Sequence, residues 1–204
     1  MNGILFAILA LAIAYLVGGI PFGLLYAQFT AGKDIRKEGS GNIGATNALR
    51  TLGRTAFAVT LLLDIGKGVF AVWLAGKLTG GSMLWMALAA LAVVVGHSFS
   101  AFLNFTGGKS VASFIGAFLY LTPLPLLACA LVLLVLLAVT RYMSLASIVA
   151  VGSLPVACWL ILQSPWPVLL AAAASAALVI SRHRGNIERL RAGRENVFSL
   201  SKQR

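Results

Sequence analysis

LTPLPLLACALVLLVLLAVT, residues 121–140, contains no charged side chain. Its apolar residues follow one another too continuously to form one face of a water-exposed helix, so every side of the segment must meet hydrocarbon or other apolar groups. Thr122-Pro123-Leu124-Pro125 interrupts an apolar stretch that begins near residue 110, because proline continues a helical hydrogen-bond ladder poorly. The stretch therefore reads as two short helices, 110–122 and 124–140, that meet at a proline turn. A single fused helix is the rival reading.

The rest of the chain has the same character. Of its 204 residues 60% are hydrophobic and 10% charged, and the mean hydropathy is +0.96, outside the range of ordinary soluble domains. Further apolar stretches lie at about 3–29, 55–76, 82–101, 143–162 and 166–182, and a spanning helix needs roughly 20 such residues. The expectation is an all-α integral membrane protein with seven transmembrane helices, forming a single domain over 1–204. Met1 to Ile20 has neither a basic leader nor a small-residue cleavage site and reads as a retained helix. Cys129 and Cys158 sit inside apolar runs and read as small hydrophobes, not as a disulfide framework.

The net charge of +11 raises the question of nucleic acid, but the cations form no basic domain with interleaved aromatics. They read as topology. With seven spans, Lys33, Arg36, Lys37, Arg50, Arg54, Lys109, Arg141, Arg182, Arg184, Arg189, Arg191, Arg194, Lys202 and Arg204 fall on one side, Lys77 falls on the other, and Lys67 lies inside the second span. The positive-inside rule then puts the N-terminus outside and the C-terminus in the cytoplasm, with the polar segments gathered at the cytoplasmic face.

Three of those segments carry chemistry. Residues 39–50 (GSGNIGATNALR) offer backbone amides at three glycines, Gly41 among them, neutral hydrogen-bond groups on Ser40, Asn42, Thr46 and Asn47, and the forked cation of Arg50. A short helix from Gly44 to Arg54 would set Asn47, Arg50 and Arg54 on one face. Residues 96–110 (GHSFSAFLNFTGGKS) place Gly107, Gly108 and Lys109 at a helix start, a layout suited to phosphate. It is not a P-loop, since Leu103 stands where that motif needs glycine. His97 has no Asp five positions on, where Phe102 stands, so the His-x4-Asp acyltransferase motif is absent.

The third segment, 181–190 (SRHRGNIERL), sets His183 and Asn186 among arginines where the last span leaves the membrane, and His183 is the best acid or base in the chain. Asp64 and Lys67 lie inside the second span, where each neutralises the other, and read as supports for the cytoplasmic loops. Arg141 and Ser144 could add a cation and a hydroxyl to the same face. The two histidines are far apart and no carboxylate cluster accompanies them, so the residues point to no metal.

Together, residues 39–50, the GHSFS to GGK run at 96–109, HRGNIERL at 183–190 and the Asp64-x-x-Lys67-Gly68 element resemble the bacterial acylphosphate:glycerol-3-phosphate acyltransferases over almost the whole chain. The resemblance implies a seven-helix enzyme of the bacterial inner membrane that makes 1-acyl-glycerol 3-phosphate and phosphate. Acyl phosphate and glycerol 3-phosphate are the implied substrates, membrane lipid the surroundings, with no cofactor and no obligate protein partner. It also implies that Ser40, Asn42, Asn47, Arg50, Lys109, His183 and Asn186 are functional positions. Departures are small: Ser110-Val111-Ala112-Ser113 stands where the family has Gly-Val-Ala-Thr, and Asn196-Val197-Phe198 lacks a lysine often found after the glutamate.

An acyl phosphate is already activated, so alignment and charge stabilisation suffice. On this reading Arg50, Lys109 and the Gly107 and Gly108 amides hold phosphate, while Ser40 and the two asparagines position hydroxyls or the carbonyl oxygen. His183 is either the base or a substrate-orienting group. A transporter or flippase for a phosphorylated small molecule is the alternative from another class, although the polar residues mass at one face and not near the midplane.

Overall fold

The computed structural model describes residues 2–199, so Lys202 and Arg204 of the cationic tail lie outside the described residues. Within the described residues ten α-helices follow in order: α1 Asn2–Gly19, α2 Phe22–Ala31, α3 Ala45–Leu52, α4 Arg54–Leu78, α5 Met83–Ser98, α6 Val111–Leu121, α7 Pro123–Thr140, α8 Met143–Leu162, α9 Trp166–Ser181 and α10 Arg184–Arg191. Four helical segments are long and apolar enough to cross a bilayer alone: α4, α5 with its extension to Leu103, α7 and α8. The count rises to six if α1 with α2 and α9 with α10 are each taken as one bent span.

Two expectations are corrected. The stretch 3–29 is not one helix: Pro21 denies it a backbone donor, and α1 and α2 meet at a 41° bend. The short helix expected at 110–122 is present as the 11 residues of α6, about 16 Å at 1.5 Å per residue and too short to cross hydrocarbon unaided. The helix expected from Gly44 to Arg54 stops at Leu52, because Gly53 adopts φ +94°. Arg54 therefore opens α4 and does not extend the face of Asn47 and Arg50.

Small residues let the helices approach, which is how helices associate where lipid is as apolar as leucine. A Cβ on Gly116 of α6 would lie 1.9 Å from Ile65 O of α4, and one on Gly68 would lie 2.3 Å from Ser113 O. Between α1 and α5 the same holds for Gly18 against Val93 O (2.3 Å) and Gly96 against Tyr15 O (2.0 Å). The core is accordingly alanine-rich, with Ala71, Ala75, Ala89, Ala90, Ala117 and Ala172 closely packed around the Phe114–Phe118 ring pair. Large side chains such as Leu127, Leu131, Trp159 and Leu160 point outward, as lipid-facing groups do.

Residues 99–110 fold back along α5. Gly108 N–H donates to His97 O at 3.0 Å, and Ser110 Oγ donates to Val94 O at 2.9 Å while sharing a 2.6 Å hydrogen bond with Ser98 Oγ. Consequently α6 starts beside the last turns of α5, recessed from its end. The described tail after α10 crosses back over the helix ends: Phe198 N–H donates to Arg141 O at 2.7 Å, and its ring packs on Phe57 at 6.5 Å.

Candidate active site

A cavity of about 380 Å³ opens among α3, α4, the His97 end of α5, α6, α7, α8, α10 and the tail. One end is lined by Ser40, Asn42, Arg50, Lys109, His183 and Asn186; the other by Phe57, Leu61, Ile115, Leu133, Leu134 and Leu137. One cavity thus carries both a polar, cationic lining and an apolar one.

The loop at 39–44 owes its shape to Asn47. The buried Asn47 Oδ1 accepts from Ser40 N–H at 2.8 Å, and its Nδ2 donates toward Asn42 O (2.8 Å), Ile35 O (2.9 Å) and Glu38 O (3.1 Å). Both polar atoms of the amide are thus engaged by the loop itself, which makes Asn47 the organiser of the loop and not a free ligand group. Gly39 (φ +59°) and Gly41 (φ +70°) hold backbone conformations that L side chains resist. A Cβ on Gly39 would also strike Asn47 Oδ1 at 2.3 Å. The amides of Gly41 and Gly44 are bonded to Glu38 O and Asn42 Oδ1, so they turn the chain and leave Ser40 and Asn42 on the cavity wall. Asn47→Ala should therefore lose activity through the loop. Removing this buried amide strands several backbone groups at about 1–3 kcal/mol each, and the check is a lowered melting temperature in detergent together with raised protease cleavage near residue 40.

Gly107 and Gly108 also differ from expectation. Neither lines the cavity; a Cβ on Gly107 would meet His97 O at 2.2 Å, and one on Gly108 would meet His97 Nε2 at 2.2 Å. Their carbonyls accept from the Arg182 guanidinium at 3.1 and 3.3 Å, and Arg182 rests over the Phe99 ring. The pair is a packing joint that presents Lys109. Arg141 contributes its carbonyl to Phe198, while its side chain is exposed and outside the cavity. Gly41 and Lys67 do not line it either.

Around the polar end runs a network that sequence reading left incomplete. Lys109 Nζ donates to Asn186 Oδ1; Asn186 Nδ2 donates to Glu195 Oε1 at 2.7 Å; Ser144 Oγ donates to the same oxygen at 3.0 Å; and Arg189 Nε donates to Glu195 Oε2 at 2.9 Å. Burial alone would raise the Glu195 carboxyl, but these donors outweigh it and hold it below its usual range. Glu195 therefore stays ionised and orients Asn186 so that its carbonyl, not its amide, faces Lys109. Asn196 and Phe198 complete the wall. The signal for Glu195 is an acid set in Gly193-Arg194-Glu195 of a tail whose only other acid is Glu188.

His183 lines the cavity from the junction of α9 and α10, and its Nδ1 lies 2.7 Å from Val179 O. A carbonyl can only accept, so Nδ1 carries the proton and Nε2 is the lone-pair nitrogen. Burial pushes the imidazole down to about 4. Beneath the polar end, Asp64 and Lys67 form a fully buried ion pair at 2.7 Å beside His97. Among the described residues no three His, Cys, Asp or Glu cluster as metal donors.

A helical membrane protein whose cavity joins a cationic, hydroxyl-lined end to an apolar one is built to hold an amphiphile with an anionic head. The family profile described as glycerol-3-phosphate acyltransferase matches residues 8–193. The chain is 46% identical over 187 residues to the glycerol-3-phosphate acyltransferase of Geobacter sulfurreducens, covering 92% of this chain and 95% of that one. It is 47% identical over 191 residues to glycerol-3-phosphate acyltransferase 2 of Moorella thermoacetica, covering 93% and 96%. Among solved structures it is similar to PlsY (YgiH), an integral membrane glycerol 3-phosphate acyltransferase. The glycerol 3-phosphate form aligns with TM-score 0.89 at 39% identity, over 95% of this chain and 96% of that one. The lysophosphatidic acid form aligns with TM-score 0.86 at 37% identity over the same shares. This chain belongs to the glycerol-3-phosphate acyltransferase family.

Proposed function

We propose that the chain, as one domain over 1–204, transfers a fatty acyl group from acyl phosphate to the 1-hydroxyl of glycerol 3-phosphate, giving 1-acyl-glycerol 3-phosphate and phosphate for phospholipid synthesis. The observation that carries this reading is the continuity of the cavity: its cationic end suits two phosphate groups, and its apolar end suits an acyl chain. The forms in which PlsY was solved, with glycerol 3-phosphate and with lysophosphatidic acid, support the acceptor and the product.

In this proposal the protein sits in the bacterial inner membrane, crossing it seven times with the N-terminus outside. The recessed start of α6 supports the seventh pass, since the fold-back at 99–110 shortens the distance those 11 residues must cover. Arg50 and Lys109 hold phosphate, Asn186 aims Lys109, and Ser40 and Asn42 meet the glycerol hydroxyls or the carbonyl. The lone pair on His183 Nε2 accepts a hydrogen bond from the 1-hydroxyl and aims its oxygen at the carbonyl carbon. A group held near 4 is a poor final resting place for a proton, whereas the inorganic phosphate freed from the acyl donor leaves with an electron pair on oxygen and is far more basic. The hydroxyl proton therefore ends on the departing phosphate.

Burial pushes the Lys109 ammonium down to about 8, so it is charged at neutral pH and loses its proton as the pH rises through that value. The kcat/KM for glycerol 3-phosphate should therefore fall above about pH 8, by roughly tenfold per unit, with no inflection near 6.5 from His183. Steady-state profiles in detergent check both. The reading as a whole is tested by mixing folded, detergent-solubilised protein with synthetic palmitoyl phosphate. Phosphate release and lysophosphatidic acid formation that both require glycerol 3-phosphate support it; a folded sample that releases nothing overturns it.

A further inference from the structure

The buried ion pair beneath the cavity has a third member whose geometry fixes its chemistry. Lys67 Nζ reaches Asp64 Oδ1 at 2.7 Å, His97 Nδ1 at 2.9 Å and Ile20 O at 2.9 Å. An ammonium has protons and no lone pair, so it can only donate: Ile20 O and His97 Nδ1 are its hydrogen-bond acceptors. Asp64 Oδ1 makes no hydrogen bond, and its ion pair with Lys67 is its compensation. At 3.7 Å from Asp64, His97 Nδ1 is too far for a hydrogen bond of its own to the carboxylate. With Nδ1 as acceptor, the proton of the neutral ring is confined to Nε2.

That proton has nowhere to go within the protein. His97 Nε2 makes no hydrogen bond among the described residues, nor is it sealed off, and the ring lines the cavity. Its edge occupies the space that a side chain at position 108 would fill. The ring also lies level with the first turn of α6, where Ser113 Oγ is 3.3 Å from Nδ1, one turn inward of Lys109. Here the lining changes from Lys109 and Ser110 to Val111, Ala112 and Ile115. In an acyl phosphate the carbonyl is the group between phosphate and chain, so it falls at this boundary.

Resting on the acyl-phosphate reading above, we propose that His97 is a catalytic residue whose Nε2–H donates to the acyl carbonyl oxygen and stabilises the negative charge that develops there. The two cavity histidines are then locked in opposite tautomers, His183 by a carbonyl and His97 by an ammonium. One accepts from the attacking hydroxyl while the other donates to the carbonyl. The hydroxyl oxygen forms the new C–O bond as the C=O pair moves onto oxygen beneath Nε2–H. When that pair returns, the bond to phosphate breaks, and phosphate leaves with its electron pair and takes up the hydroxyl proton. His97 neither gains nor loses a proton. A fixed neutral donor aimed at developing charge needs no reorganisation during the reaction.

The test compares His97→Asn with His97→Gln. In His97→Asn the new side-chain oxygen can replace Nδ1 as the acceptor for Lys67 but nothing replaces the donor at Nε2; in His97→Gln the longer side chain brings an amide N–H to the Nε2 position. Losing one such donor costs about 10²–10³ in kcat, so His97→Asn should fall by that factor with little change in KM for glycerol 3-phosphate, and His97→Gln should recover part of it. Wild-type protein inactive on palmitoyl phosphate would overturn the acyl-phosphate reading itself. Active wild type with undiminished kcat in folded His97→Asn would overturn only the role of His97. Nitrogen-15 NMR of histidine-labelled wild-type protein is independent of how the variants fold. At neutral pH it should show His97 protonated at Nε2 and bare at Nδ1, with the Nε2–H signal shifted by a non-hydrolysable acyl phosphonate and not by glycerol 3-phosphate alone. The opposite tautomer, or a signal unmoved by the phosphonate, overturns the proposal.

Discussion

Lys109→Met should lower kcat/KM for glycerol 3-phosphate by roughly 30- to 4,000-fold while leaving the helices in place. The ammonium is largely buried, held by Asn186 and faces the cavity. Truncating a buried, hydrogen-bonded charge costs about 2–5 kcal/mol or more, and each 1.4 kcal/mol is about tenfold. Part of that loss belongs to Asn186, whose carbonyl is left without its donor, so Lys109→Met combined with Asn186→Ala should be less severe than the sum of the two. Lys109→Arg restores charge, but its planar fork does not match a single amide oxygen and should recover only part of the activity. Glu195→Gln reports on the same network from its far end. It removes the charge that Ser144, Asn186 and Arg189 share, and should raise KM more than it lowers kcat. Initial-rate kinetics on purified variants, with circular dichroism as the control for folding, check each of these.

Gly116→Ala should be the most damaging substitution outside the cavity. Its single added carbon would stand 1.9 Å from Ile65 O, a backbone atom that cannot swing aside, so α4 and α6 must separate. Overpacking costs about 1–3 kcal/mol and sometimes more. Here it also moves Asp64 relative to Ser113 and the recessed start of α6, so loss of activity should accompany a large fall in melting temperature in detergent. Gly66→Ala is the internal control: it lies in the same helix as Gly68, has nothing within 4 Å of the added carbon, and exchanges a poor helix former for the best one. It should be neutral or slightly stabilising.

Much of this architecture was legible because hydrophobic runs are local. The helices at 54–78 and 143–162 fall within a few residues of where their apolar stretches place them. Breaks and depth were less legible. Pro21 stands in an unbroken apolar stretch, and only the folded chain shows that it bends; the short α6 depends on a loop that doubles back along α5. In the cavity the polar clusters were visible but their division of labour was not. Asn47 looked like a ligand group because an exposed asparagine in a glycine loop would be one, yet its nearest partners are carbonyls of its own loop. Gly107 and Gly108 looked like amide donors, whereas their carbonyls meet Arg182, 75 and 74 residues further along the chain. Glu195 owes its importance to Ser144, 51 residues earlier, and no local pattern encodes a pairing at that separation.

The strap formed by the last described residues bears on how the protein is made. His183, Asn186, Glu195 and Phe198 follow every membrane helix they touch, and the Phe198 amide closes onto the Arg141 carbonyl only once that order is complete. During synthesis the helices enter the bilayer with an unfinished cavity, and the constellation assembles in a final step at the membrane surface. A nascent chain is therefore silent until Phe198 has emerged, and a chain cut short anywhere before His183 yields membrane-inserted protein with an incomplete cavity.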